Sequence, residues 1–123
     1  MILGIGLDTV KVERFARLSP QAIDRLFTEQ EQTWCESAIG STRLQRYAAR
    51  FAAKEAVSKA LGTGISDGMR WKDISVVCDA LGKPEALLVG KALDRQRTLG
   101  AQSVFLSLTH EREYATAVAV LEN

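Results

Sequence analysis

The feature that most constrains the fold is a long helical segment from about Thr42 to Leu61. At about 100° per residue, its apolar side chains fall on one face, at Leu44, Ala48, Phe51 and Ala52. A helix with one apolar face must bury that face against another layer of structure. The sequence therefore predicts a central helix around which the rest of the chain packs.

Strand patterns lie on both sides of this helix, at residues 2 to 7, 71 to 79, 85 to 89, 103 to 109 and 114 to 121. Shorter helices are predicted at residues 10 to 18, from Ser19-Pro20 onward, from Thr28 to about Gly40, and at 91 to 99. This mixed order favours an α+β fold with a small antiparallel sheet, a long central helix and shorter helices. At 123 residues, we expect a single domain spanning residues 1 to 123.

Charge and composition argue against several classes of protein. The formal net charge of +1 gives no global field that would attract nucleic acid or an anionic membrane. No apolar run approaches the roughly 20 residues needed to span a bilayer, and the N-terminus lacks a secretory signal pattern. Cys35 and Cys78 show no metal-like spacing and are too few for a disulfide scaffold, so we expect a reducing, cytoplasmic location.

Three ionisable residues stand where a core-building pattern would not place them. Asp8 follows the first strand, Glu55 interrupts the apolar face of the long helix, and His110 lies at a strand end. Structural alternatives remain open for each residue. Asp8 has the position of a turn residue, Glu55 has Lys59 four residues further on as an ion-pair partner, and a lone histidine is usually a hydrogen-bonding group.

Two carboxylates that converge without thiol or paired histidine ligands suit a hard cation, with magnesium favoured over zinc. Magnesium commonly completes its shell with water and substrate phosphate oxygens, so Asp8 and Glu55 would suffice as protein ligands. Lys59, Lys54 and the backbone amides of the Gly62-Thr63-Gly64 loop are candidates for neutralising the remaining phosphate charge. The loop is not a P-loop, because its glycines follow the helix and no GKS or GKT is present.

Other basic and aromatic residues fall into three sets. A basic stripe along the long helix indicates an anionic ligand or partner; its members are Arg43, Arg46, Arg50 and Lys54. The aromatic residues expected in the core are Trp34, Phe51, Trp71 and Phe105. The arginines expected on a solvated face, with docking as the alternative, are Arg14, Arg17 and Arg25.

Motifs spread over nearly the whole chain carry a family resemblance. They are Gly4-Ile5-Gly6-Leu7-Asp8 with Arg14 six residues on, Arg50 to Gly64 (RFAAKEAVSKALGTG), Trp71 to Ile74, and Ser107 to His110 with Tyr114-Ala115. In this order they resemble the opening, central and terminal motifs of the holo-acyl-carrier-protein synthases. The resemblance implies a 4′-phosphopantetheinyl transferase fold.

The resemblance also implies an activity. The enzyme would move the 4′-phosphopantetheine arm of coenzyme A to a serine of acyl carrier protein and release adenosine 3′,5′-bisphosphate. Asp8 and Glu55 would bind Mg²⁺, which would bridge the coenzyme A pyrophosphate, and Lys59 would help to neutralise it. Glu55 is the first choice for the acceptor of the serine proton, and Asp8 is the second.

Further site residues follow from the same resemblance, which implies a homotrimer with active sites at subunit boundaries. The predicted substrate-binding residues are Arg50, Lys54, Gly62, Gly64, Ser107, Thr109 and His110. The residues predicted to steer docking of the acidic carrier protein are Arg14, with Arg17 and Arg25 as helpers.

Two other functions remain open at this point. A magnesium-dependent phosphohydrolase or nuclease would use the same carboxylates with water as the nucleophile. A non-catalytic module would use the basic stripe to bind an acidic protein.

Overall fold

The computed structural model describes residues 1–66 and 68–123, and it has the predicted α+β fold. The elements are β1 (Ile2–Lys11), α1 (Pro20–Leu26), α2 (Glu29–Glu36), α3 (Gly40–Ala60), β2 (Ile74–Cys78), β3 (Pro84–Leu88), α4 (Gly90–Leu99), β4 (Ser103–His110) and β5 (Tyr114–Glu122). Short 3₁₀ helices cover Val12–Arg17 and Trp71–Asp73. Among the helices of the described residues, none is both long enough and apolar enough to cross a membrane.

A three-stranded antiparallel sheet supports the long helix. Its strand order is β1-β5-β4, so β5 lies in the centre and separates the other two strands. The helix α3 packs against β1 and β5 and touches β4. Ala115, Ala117 and Ala119 of β5 are buried, and these small side chains let the helix approach the sheet closely. The strands β2 and β3 form a separate antiparallel hairpin.

Two helix starts have the predicted capping residues. The Ala22 amide donates to Ser19 Oγ at 3.1 Å, and Pro20 occupies the first turn of α1. At the start of α2, the Thr28 amide donates to Glu31 Oε1 at 2.8 Å and the Glu31 amide donates to Thr28 Oγ1 at 3.3 Å. These bonds satisfy amides that have no partner within the helix.

Four predicted boundaries were wrong. The strand predicted from Trp71 begins at Ile74, after the 3₁₀ helix Trp71–Asp73. The strand β1 continues through Asp8 to Lys11, because Asp8 has an ionic partner on α3 and can remain within the strand. Residues 12 to 17 form a 3₁₀ helix where a helix over 10 to 18 was predicted. The helix α2 ends at Glu36, and Gly40, which was predicted to end it, begins α3 with a φ of 60°.

Two aromatic residues predicted for the core lie at the surface. Phe51 is buried beside Phe15, with ring centroids 5.5 Å apart, as predicted. Trp34 and Phe105 are instead 44% and 48% exposed. Trp34 immediately precedes the buried Cys35 on α2, and Phe105 lies on the sheet face opposite α3. In such short elements, hydrophobicity alone does not show which face of the element is buried.

Candidate active site

Two glycines of β1 let this strand touch the backbone of α3. A Cβ added at Gly6 would lie 1.8 Å from the carbonyl oxygen of Ala56, and one added at Gly4 would lie 2.1 Å from that of Ala60. No larger residue fits at either position without separating strand and helix. Side chains two residues apart share a strand face, so Asp8 is held against the same helix.

Asp8 forms an ion pair with Lys59 at this contact. Lys59 Nζ lies 3.1 Å from Asp8 Oδ1 and donates to the backbone carbonyl of Leu7 at 2.9 Å. The Lys59 side chain is 50% exposed and that of Asp8 is 18% exposed. A pair this accessible to water contributes at most about 1 kcal/mol to stability. Its main effect is to hold an ammonium and a carboxylate at the surface in fixed positions.

Glu55 is the second carboxylate of this cluster. Burial raises the pKa of Glu55 above its usual value, and the negative charge of Asp8 raises it further, against the opposing effects of Lys59 and Arg14. Among the described residues, Lys59 pairs with Asp8 and forms no ion pair with Glu55, so the helical i,i+4 alternative is not what the structure shows. The fold thus brings Asp8 to Lys59, 51 residues away, and to Glu55 one turn before Lys59 on α3.

The donors of this cluster fit a hard divalent cation. Asp8 and Glu55 offer carboxylate oxygens, the ligands that Mg²⁺ prefers, and a bound cation would offset the repulsion between them. Within residues 1–66 and 68–123, no three His, Cys, Asp or Glu side chains converge on one point. A cation here would therefore take its remaining ligands from water or substrate.

Lys54 is not available to a substrate phosphate, contrary to the prediction. Its side chain is fully buried, with Nζ 2.7 Å from Glu31 Oε1 and donating to the carbonyl oxygens of Trp71 and Ile74. Burial lowers the pKa of Lys54, and the adjacent Glu31 carboxylate opposes this effect. The pair joins α3 to α2 and to the start of β2, and we assign it a structural role.

The amides of the Gly62-Thr63-Gly64 loop are also occupied. Gly62 N donates to the carbonyl of Lys59 at 3.0 Å, while Thr63 N and Gly64 N donate to that of Ser58 at 3.3 and 3.1 Å. Gly62 and Gly64 have φ values of 82° and 65°, which favour glycine at the end of a helix. The expectation that these amides bind phosphate does not fit, because each already caps α3.

A second group of predicted residues lines a separate cavity of about 350 Å³. Arg50 and His110 face this cavity together with Arg46 and Trp34. Arg50 is only 4% exposed, and its Nε has no hydrogen-bond partner among the described residues. Such a buried, incompletely satisfied guanidinium is suited to an anionic ligand.

Ser107 and Thr109 lie away from this cavity. Along β4, side chains alternate between the two faces of the sheet. Leu108 and His110 line the cavity on the α3 side, so Ser107 and Thr109 belong to the exposed outer face. Within one chain, therefore, the predicted nucleotide-binding residues do not all converge.

The acidic cluster and the arginine cavity lie at opposite edges of the sheet. Asp8 belongs to β1 and His110 to β4, and β5 runs between these strands. On α3, Glu55 follows Arg50 by five residues, which turns their side chains about 140° apart. One chain thus presents two incomplete parts of the predicted site, facing different directions.

Arg14 lies on the acidic side of the molecule. Its guanidinium is 5.3 Å from the centre of the Phe51 ring, and Phe51 stacks on Trp71 at 4.9 Å. Arg17 is on the same 3₁₀ helix, and Arg25 shares a cavity of about 540 Å³ with Trp71. All three arginines are exposed, as predicted. Of the three, Arg14 is the one whose charge acts on Glu55, where it opposes the rise in pKa.

Sequence reasoning missed Trp34 as part of the basic cavity. The Arg46 guanidinium lies 3.9 Å from the centre of its ring, and that of Arg50 lies 5.6 Å away. Arg46 also donates to the Trp34 carbonyl at 2.8 Å. The available signal was the basic stripe itself, since guanidinium groups stack on exposed aromatic rings.

Known proteins of one family are similar to this chain in sequence and fold. A family model described as the 4′-phosphopantetheinyl transferase superfamily matches residues 4–119. The holo-[acyl-carrier-protein] synthase of Geobacter sulfurreducens is 47% identical, over 99% of this chain and 98% of that protein. A crystal structure of the Neisseria meningitidis synthase matches with a TM-score of 0.87 and 36% identity over the full length of both chains.

One solved relative contains a ligand. The Bacillus anthracis holo-(acyl-carrier-protein) synthase, in complex with CoA (3′,5′-ADP), matches with a TM-score of 0.85 and 36% identity over 100% of this chain and 98% of that one. The agreement covers sequence, fold and length together. This chain belongs to the 4′-phosphopantetheinyl transferase superfamily and, within it, to the holo-[acyl-carrier-protein] synthases.

Proposed function

We propose that this enzyme transfers the 4′-phosphopantetheine group of coenzyme A to a serine of apo-acyl carrier protein and releases adenosine 3′,5′-bisphosphate. The observation that carries the proposal is the Asp8, Glu55 and Lys59 cluster, created by the contact of Gly4 and Gly6 with α3. The names of the relatives support both substrates, since they are acyl-carrier-protein synthases and one was solved with CoA (3′,5′-ADP).

Asp8 and Glu55 would hold a magnesium ion at this cluster. When bound, the ion supplies positive charge beside the oxygens of the coenzyme A pyrophosphate. Lys59, already fixed by Asp8 and the Leu7 carbonyl, adds an ammonium whose charge stabilises the leaving phosphate. The positive charges of the ion and of Lys59 would stabilise the negative charge of the transferring phosphoryl group, which contributes most to the activation barrier.

Glu55 accepts the proton of the attacking serine. The serine oxygen forms a bond to the β-phosphorus of coenzyme A as the bond to the departing bisphosphate breaks. The raised pKa of Glu55 makes its carboxylate a stronger base than an ordinary exposed glutamate. Asp8 is the second candidate, because its Oδ1 is already engaged by Lys59 Nζ at 3.1 Å.

The complete site is formed by two copies of the chain. The acidic cluster of one copy would face the cavity of Arg46, Arg50 and His110 of the next, which would hold the nucleotide end of coenzyme A. The outer sheet face supports such an assembly, because Ile5 and Leu7 are 67% and 59% exposed there. Repetition of this contact around an axis closes a homotrimer. On this outer face, Ser107 and Thr109 would lie near the contact between copies.

Docking of the acidic carrier protein would use Arg14, with Arg17 and Arg25 as helpers. Arg14→Glu should raise the KM for apo-acyl carrier protein by about tenfold while leaving the KM for coenzyme A unchanged. Steady-state kinetics with each substrate varied in turn measure both values. An unchanged carrier-protein KM would remove Arg14 from the docking surface.

Mass spectrometry tests the main proposal. Apo-acyl carrier protein, incubated with this enzyme, coenzyme A and Mg²⁺, should gain the mass of one phosphopantetheine group. A sample without carrier protein serves as the matched control. Cleavage of coenzyme A in that control, with no gain in carrier-protein mass in the full mixture, would favour the phosphohydrolase and overturn the proposed transfer.

Sedimentation equilibrium separately tests the trimer, and a monomer at assay concentration would contradict it.

A further inference from the structure

Cys78 lies on a wall shared by two cavities. The smaller cavity is the one lined by Arg46, Arg50 and His110, and the larger one, of about 780 Å³, lies between α2 and the end of β2. Cys78 and Arg50 line both of them. The thiol of Cys78 is exposed and forms no disulfide. A molecule that enters either cavity therefore meets this sulfur.

Arg50 is directed at the Cys78 thiol. Arg50 Nη2 donates to Cys78 Sγ at 3.3 Å, and this is the only hydrogen bond of the guanidinium within the described residues. Arg50 forms no ion pair there, although its side chain is almost completely buried. The sulfur thus stands beside a buried positive charge that lacks a carboxylate partner. Reactive cysteines are typically accessible and lie in electropositive surroundings of this kind.

The charges of the two cavities differ. Arg46, Arg50 and His110 are the ionisable residues other than Cys78 that line the smaller cavity, and no carboxylate lines it among the described residues. Glu29 and Asp79 line the larger one, together with Arg50. An anionic group is consequently favoured on the smaller side and disfavoured on the larger.

Cys35 provides an internal reference. It is fully buried, and burial raises the pKa of its thiol to about 12. A thiol in this state is neither accessible nor ionised at neutral pH, so it does not attack disulfides. The native protein therefore has one accessible thiol and one inaccessible thiol in the same chain.

From these observations we propose that Cys78 is a modification site for small anionic disulfides, whose charged group lodges in the cavity of Arg46, Arg50 and His110. The Cys78 thiolate attacks one sulfur of the disulfide, after its proton has passed to solvent. The reagent's S–S bond breaks, a new S–S bond to Cys78 forms, and the other half departs as a thiolate. Cys78 is oxidised and the departing half is reduced, so no further oxidant is needed.

Modification should also block the enzyme reversibly. This consequence rests on the proposed function, which places the nucleotide end of coenzyme A in the smaller cavity. An adduct on Cys78 occupies that space, so it should compete with adenosine 3′,5′-bisphosphate. Reduction with dithiothreitol should release the adduct and restore the free cavity.

Reaction with the dianionic reagent 5,5′-dithiobis(2-nitrobenzoate) tests the site. The native protein and Cys35→Ser should each release one equivalent of thionitrobenzoate and gain one adduct by mass, whereas Cys78→Ser should release none. After denaturation, the protein without substitutions should titrate two thiols. Labelling of Cys35, or no reaction of native protein, would overturn the proposal.

The charge preference has its own test. Three reagents are compared: the anionic reagent, cationic cystamine and uncharged 4,4′-dithiodipyridine. For each reagent, the rate of reaction with Cys78 is divided by the rate at which the same reagent reacts with an uncharged free thiol in solution. The anionic reagent should then exceed cystamine by about tenfold at low salt, and 0.5 M NaCl should reduce the difference. Arg46→Gln should slow only the anionic reagent. Equal normalised rates for all three reagents would contradict the anionic site.

Protection by adenosine 3′,5′-bisphosphate separates this proposal from the proposed function. If the bisphosphate slows labelling of Cys78, both the modification site and the nucleotide assignment are supported. Selective labelling without protection would support the modification site and count against the placement of the nucleotide in this cavity.

Discussion

Lys54 and Lys59 lie five residues apart on α3, and each pairs with a carboxylate from another element. The Lys54 side chain is completely buried against Glu31, while that of Lys59 is half exposed beside Asp8. Breaking the buried pair would leave an uncompensated charge in the core. Breaking the exposed pair would leave a remaining charge that is partly in contact with water. Similar ion pairs therefore serve the fold in one place and the candidate active site in the other.

The largest effect is expected at the acidic cluster. Glu55→Gln should lower turnover by about a thousandfold, because it removes both a metal ligand and the proposed proton acceptor. The measurement is the rate of phosphopantetheine addition to apo-acyl carrier protein, with circular dichroism to confirm the fold. Retained turnover in a folded variant would show that this cluster is structural, like the buried pair.

The buried pair should show the largest effect on stability. Lys54→Met should reduce the free energy of unfolding by about 3–5 kcal/mol, because it leaves the Glu31 charge without its partner. Urea denaturation measures this loss. The double variant Glu31→Gln, Lys54→Met should recover part of it. A loss below about 1 kcal/mol for the single variant would remove the distinction between the two pairs.

The matched substitution at the exposed pair should act on activity. Lys59→Met should lower turnover by about a hundredfold, since it removes a charge beside the leaving phosphate. Its free energy of unfolding should change by no more than about 1 kcal/mol. The same kinetic and urea experiments apply. A large loss of stability with full turnover would reverse the roles of Lys54 and Lys59.

The smallest effect is a dependence of stability on pH. The folded-state pKa of Glu55 is raised, so its contribution to stability is present below its unfolded pKa of about 4.3 and is lost as pH rises through the folded value. Without divalent cations, Glu55→Gln should therefore be more stable than the native protein near pH 7. The two should be equally stable near pH 3.5. Thermal unfolding in EDTA at both pH values measures the difference.

At neutral pH, added Mg²⁺ should make the native protein more stable than Glu55→Gln. A cation that binds only the folded state stabilises it, by an amount that rises with the logarithm of its concentration relative to its Kd. Added Mg²⁺ should raise the Tm of the native protein and have little effect on Glu55→Gln. An equal shift in both proteins would mean that Glu55 is not a ligand.

Several elements could be predicted because their signals are local. The capping box at Thr28 and Glu31 and the proline start at Pro20 depend on residues within one helical turn. The long helix also followed from its own periodicity. The extension of β1 through Asp8 was not predictable in the same way, because an aspartate within a strand depends on an ionic partner 51 residues away.

The residues of the candidate site also differ in whether local sequence signals could predict them. Glu55 was recognisable as a polar residue on an apolar face. Arg50 and Lys54 looked equivalent along the basic stripe, yet Lys54 is neutralised by Glu31 whereas Arg50 lines a cavity. The partners that separate them come from α2 and β2, which no helical periodicity reveals.

The sequence by itself determined the α+β class, the central helix and, through motifs with fixed spacing, the family of this enzyme. Only the tertiary structure decided which charges are buried and which face solvent, and that Asp8 and His110 lie at opposite edges of one sheet. The physical reason is the distance along the chain over which each interaction acts. Helix caps and amphipathic periods arise from neighbouring residues, whereas desolvation and ion pairing depend on atoms brought together from distant parts of the chain.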